Sequence, residues 1–215
     1  MKKAELNKKD KKYLTEKGRD AISDGAFLKG IRLFERFHKE YEFDEEVMYL
    51  FGVLYDHMGQ RLRGRGDNKN SKEYFDKAFK VFSSMLEQNP KSFDALYGIG
   101  KIYRSKGNYE KALEYSKKAY RMSGGKAVYG IGIIYEQMGD LKKAEYWYKK
   151  ELRDKGENDY GAALNYVLFF NRMHREDVKK YAKVVKKHYD KESDSFKKSN
   201  WGKLIKKEID SVLDF

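Results

Sequence analysis

Residues equipped for covalent or metal chemistry are few and scattered. The chain holds four histidines, His38, His57, His174 and His188, and no cysteine. No two histidines stand at an HExxH spacing and none has a thiolate nearby, so no zinc ligand set can be assembled from local sequence. The missing cysteines also exclude a disulfide scaffold and a cysteine nucleophile. Asp190, Glu192 and Asp194 alternate as at the start of a calcium loop. That loop needs glycine at its sixth position and glutamate at its twelfth, which here are Ser195 and Trp201. Neither GxSxG nor GxxxxGK[ST] occurs. Arg65, Gly66 and Asp67 spell a cell-adhesion tripeptide, expected to be coincidental because the basic start of the chain has no apolar stretch behind it to act as an export signal. The expectation is a protein with no catalytic residues, no metal and no cofactor, working in the cytoplasm.

The chemistry left is recognition by charge and by aromatic surface. Lysine and arginine number 47 against 34 acidic residues, a formal net charge of +13. With 38% charged residues the chain would suit a disordered polyelectrolyte, but its 15% aromatic content requires a packed core. One proline in 215 residues leaves long helices unobstructed. No run of 18 apolar residues exists, so no membrane span is expected. Lysine pairs such as Lys117 and Lys118 read as a solvated face. The stretch 59–71, with Arg61, Arg63, Arg65 and Lys69, reads either as a surface insertion that keeps itself solvated or as a secondary basic loop fit for phosphate or carboxylate, and Asn70 with Glu73 is expected to cap the helix after it.

The elements carrying these residues follow from an internal repeat. Gly18, Gly52, Gly100 and Gly132 share a register with the degenerate position Tyr166, at spacings of 34, 48, 32 and 34. Seven residues after each glycine stands another: Gly25, Gly59, Gly107 and Gly139. A small residue on one helix lets its partner approach, and the later glycine is expected to end that helix in a left-handed conformation. The second helix carries Gly30, Ala78, Ala112 and Ala144 at its crossing, followed by Phe34, Phe82 and Tyr148. Helix pairs are predicted near 10–24 with 27–41, 44–60 with 71–88, 92–106 with 109–122, 125–138 with 141–154, and 158–172 with 175–188. The 48-residue spacing is a unit with a 14-residue insertion. A last helix near 195–213 has an apolar stripe of Phe196, Trp201, Leu204, Ile205, Ile209 and Val212.

This pattern resembles the tetratricopeptide repeat, a helix–turn–helix unit of 34 residues, over about residues 11–188. The resemblance implies an all-α, right-handed solenoid of about five helix pairs, with residues 11–44, 45–92, 93–124, 125–158 and 159–188 as its units. A basic arm over 1–10 would precede it, and a linker with a capping helix over 189–215 would close its exposed end. It also implies a non-enzymatic interaction scaffold whose first helices line a concave groove for a peptide or protein. Counting along those helices gives Arg19, Tyr49, Val53, Tyr97, Lys101, Arg104, Lys126, Tyr129, Ile133 and Tyr160 as groove residues. Repeated tyrosines interleaved with cations suit a partner with apolar or aromatic anchors and some acidic residues. The family's clamp for chaperone tails is not matched, since Thr15, Arg19, Leu50, Asp94 and Gly98 hold the corresponding places. The competing expectation is a basic repeat protein associated with RNA.

Overall fold

The computed structural model describes residues 4–123, 127–156, 159–170 and 175–213. Ser123, Arg175, Glu176, Asp177, Asn200 and Trp201 are placed by backbone only. The all-α expectation holds, apart from one short parallel ladder in which β1 (Ala4–Glu5) pairs with β2 (Tyr41–Glu42). The chain divides into two compact units, Met1–Ala127 and Val128–Phe215.

Among its described residues the first unit holds three helix hairpins: α1 (Lys8–Ser23) with α2 (Phe27–Glu40), α3 (Glu45–Gly64) with α4 (Asn68–Gln88), and α5 (Phe93–Ser105) with α6 (Tyr109–Ser123). Residues 4–10, expected as part of a basic arm, instead supply β1 and the first turn of α1, whose N-terminus is capped by Asn7 through the amide of Asp10. The second unit holds α7 (Val128–Gln137) with α8 (Leu141–Lys155), α9 (Tyr160–Phe170) with α10 (Arg175–Tyr189), then α11 (Asp194–Lys198) and α12 (Asn200–Leu213).

The hairpin turns are encoded by a dipeptide. Gly107 adopts φ +77° and Asn108 sends its amide back to the Tyr103 carbonyl at 2.9 Å, which closes α5; the Asn108 side chain then accepts the Lys111 amide and opens α6. Gly139 with Asp140 repeats the arrangement between α7 and α8. Between α3 and α4 it falls to Gly66, at φ +79°, and Asp67, which caps the amide of Asn70. Two expectations are corrected here. The helix does not stop at Gly59, and the cap of the following helix is Asp67 and not Asn70. The 14-residue insertion lengthens both helices of the second hairpin and leaves no loop at 59–71. The Arg65, Gly66, Asp67 tripeptide is this turn.

Small residues at the crossings do what their spacing requires. The ring of Phe82 on α4 enters between α3 and α5, so close that a Cβ on Gly52 or Gly98 would stand 2.6 or 2.7 Å from it. Phe82 is 1% exposed, and with Phe34, Leu54 and Ile99 it forms the core of the first unit. In the second unit Tyr148 packs against Gly132, while Tyr166 and Phe170 stack at 4.3 Å between ring centroids.

The terminal segment is two helices, not one. Ser199 ends α11 by donating from its hydroxyl to the Phe196 carbonyl at 2.6 Å, and the same oxygen accepts the Gly202 amide at 3.0 Å. Ile205, Ile209 and Val212 are buried and α12 packs on α10, whereas Leu204 is exposed. The Trp201 side chain lies outside the described residues.

Candidate partner-binding faces

In the first unit α1, α3 and α5 lie side by side, because α3 packs against both neighbours. Tyr49 and Tyr97 emerge half-buried on α3 and α5. Tyr49 leans on Phe82 at 6.2 Å and Tyr97 stacks on Phe93 at 5.6 Å. Burial, reinforced by Asp94, pushes the Tyr49 phenol above its ordinary range. Each tyrosine therefore presents one edge outward and spends the other on packing. Val53, expected at the surface, is 7% exposed, because α3 is flanked on both sides.

The cations expected on this face are mostly engaged. Arg19 donates to the Glu46 carboxylate at 3.0 Å. Lys101 reaches from α5 to Asp56 on α3 at 3.1 Å. Burial alone would lower the Lys101 ammonium, but the charge and hydrogen bond of Asp56 outweigh it and hold the lysine above its usual range. Asp56 is 1% exposed; its Oδ2 also accepts from Gln60, and its Oδ1 has no hydrogen-bond partner among the described residues. Beside it, His57 stacks on Phe27 at 5.2 Å, and desolvation followed by repulsion from Lys101 depresses its pKa. Arg104 is half-buried and forms no ion pair among the described residues.

The second unit holds a formed hollow of about 280 Å³ between α7 and α9. Tyr129 and Ile133 line it from α7, Leu168 and Phe169 from α9, and Tyr148 of α8 closes it. Glu136, Gln137 and Asn165 also line it, and two polar contacts are fixed: the Tyr148 hydroxyl donates to Glu136 at 2.8 Å, and Asn165 donates to Glu151 at 3.1 Å. Tyr160 is not brought there; its ring lies against His188 at 5.2 Å. Lys126 lies outside the described residues. The sequence placed Tyr160 of α9 on this face but not Leu168 and Phe169, because this repeat copy is degenerate, although the apolar run LFF at 168–170 signalled an unusually apolar first helix.

Of the residues assigned to a basic loop, Arg61 is structural. From the lengthened α3 it donates to the Gly25 carbonyl at 2.7 Å and lies over Phe27 at 5.8 Å, tying the α1–α2 turn to α3. Arg63, Arg65 and Lys69 are exposed around the α3–α4 turn. Among the described residues no cluster of His, Asp and Glu can hold a metal ion, and no helix is long and apolar enough to cross a membrane.

Profiles of the tetratricopeptide repeat match residues 49–123 and 125–152. The fold is similar to a solved thermophilic tetratricopeptide repeat protein of Thermus thermophilus, TTC0263, at 18% identity and a TM-score of 0.66, over 95% of this chain and all of that one. It is also similar to a MamA fragment from Desulfovibrio magneticus RS-1, at 19% identity and a TM-score of 0.53, over 85% of this chain and 97% of the other. A further MamA structure matches at 19% identity and a TM-score of 0.53, over 84% of this chain and 92% of that one. At these identities the likeness is one of fold. The search of curated proteins finds no match.

Proposed function

We propose that this chain, a member of the tetratricopeptide repeat family, is a non-enzymatic scaffold that holds a segment of a protein partner against its first-helix faces. The observation that carries the proposal is the hollow between α7 and α9: apolar Ile133, Leu168 and Phe169 set among tyrosines and the polar Glu136, Gln137 and Asn165, a volume suited to one or two side chains, and Tyr148 and Asn165 already fixed by hydrogen bonds. An aromatic or aliphatic anchor of the partner enters there. Fixed walls reduce the ordering cost of binding. In the first unit the outward edges of Tyr49 and Tyr97 give amphipathic contact, with Arg104 supplying charge for an acidic residue. Arg19 and Lys101 serve this face by holding neighbouring helices together, since their charges are already met by Glu46 and Asp56.

The test is partner recovery from cells of the source organism with the intact chain, with Tyr49, Tyr97 and Tyr129 changed to alanine, and with the exposed Tyr146 changed to alanine as control. The expected result is loss of specific partners with the triple variant alone, its helical melt retained. Identical partner lists from all three proteins end the proposal.

A further inference from the structure

We infer that the first unit carries a second binding site on its other side, a basic cleft between α2 and α4 that takes an acidic peptide segment bearing an apolar anchor. Both helices pack on α3 and part above it, leaving an open hollow of about 600 Å³. Arg32, Arg36 and Lys39 line it from α2, and Lys77 and Lys80 line it from α4. The spacing of the three α2 cations keeps them on one helical face over about 10 Å, the length of a short extended peptide.

Four of these five cations have no ion-pair partner among the described residues. Glu35 is the one carboxylate among the lining residues, and it already accepts a hydrogen bond from the Tyr55 hydroxyl at 2.8 Å. Lys77 pairs with Glu73 at 2.8 Å. Arg32, Arg36, Lys39 and Lys80 form no ion pair among the described residues. On other helices several lysines are matched within their own helix, as Lys118 is with Glu114 and Lys206 with Asp210. Like charges around a partly desolvated hollow repel, so an incoming anion gains more here than at a flat, self-neutralised surface.

The floor selects among anions. Phe51 and Tyr55 are 3% and 5% exposed, so neither offers an open ring face on which a nucleotide base could stack. The sides are Val81 and the aliphatic stems of the arginines and lysines, which suit a Phe, Leu or Trp side chain flanked by carboxylates. This occupancy is independent of the α7–α9 hollow.

The experiment pans a phage-displayed library of random peptides of about twelve residues on the whole chain at about 0.15 M salt. Enriched peptides are then synthesised and titrated by fluorescence anisotropy. The expected sequences pair at least two Asp or Glu residues with one large apolar residue. Their affinity falls about tenfold or more in Arg36→Glu/Lys80→Glu and is unchanged in Tyr129→Ala/Ile133→Ala. Both cleft positions are exposed, so the charge-reversed protein is expected to keep its melt; Arg36→Gln/Lys80→Gln gives the same reading with a smaller loss. Enrichment of non-acidic peptides, or equal affinity for the cleft variants, overturns the inference. So does displacement of the peptide at this salt by a single-stranded RNA whose own binding requires Arg36 and Lys80, which reassigns the cleft to phosphate.

Discussion

Phe82 fills a slot that exists because two neighbouring helices carry no side chain where it enters. A methyl group on Gly98 would lie 2.7 Å from its ring, and the ring is held on its other side by Gly52, so it has nowhere to retreat. Gly98→Ala is therefore expected to destabilise the chain by about 1–3 kcal/mol, read by urea unfolding. Gly64→Ala, at a helical glycine with open space around it, should be neutral or stabilising by up to about 1 kcal/mol. Equal stability of the two variants would refute this account of the packing. The sequence showed the register of Gly52 and Gly100 but not the role of Gly98, which stands two residues off the repeat. It misplaced Gly59 for a related reason. The seven-residue rule makes that glycine a stop, whereas the structure uses it for close approach, a Cβ there lying 2.8 Å from Phe75. The stop was legible in another form, because Gly66–Asp67 is the same dipeptide signal as Gly107–Asn108 and Gly139–Asp140.

Helices α10 and α12 depend on each other. The stripe of Ile205, Ile209 and Val212 was visible at helical spacing, and those residues are buried where α12 packs on α10, itself burying Val178, Ala182 and Val185. Deleting residues 195–215 uncovers that apolar face and should lower the midpoint of thermal unfolding and raise binding of a hydrophobic dye by the folded protein. An unchanged melt and no dye binding would mean that α12 is not a cap. The break before α12 was not legible. A serine followed by asparagine in an amphipathic stretch is tolerated within a helix, and the interruption depends on Ser199 bonding both ways and on Gly202, where a Cβ would come within 2.2 Å of the Phe196 carbonyl oxygen. Such contacts follow from how the two segments fold back, which spacing alone does not encode.

At the scale of the molecule the +13 charge was plain from composition, yet composition cannot say which cations are free. Arg19 meets Glu46 and Lys101 meets Asp56 across helices, pairings 27 and 45 positions apart that exist only after folding. Folding thus removes charge from the face where the sequence placed it, while Arg32, Arg36, Lys39 and Lys80 stay without an ion pair among the described residues at the α2–α4 cleft. A polyanion is accordingly attracted by charge alone. If about five cations engage a single-stranded RNA, counterion release predicts an affinity that drops about 10²-fold between roughly 50 and 200 mM salt, measured by anisotropy with a labelled oligonucleotide of mixed sequence. An acidic peptide with an apolar anchor loses less over the same range, because burial of the anchor does not depend on ionic strength. The two salt slopes therefore divide a protein scaffold from a nucleic-acid carrier. RNA binding that stays tight and sequence-selective at about 200 mM would require base contacts that the covered rings of Phe51 and Tyr55 do not offer, and it would favour the nucleic-acid reading over the scaffold.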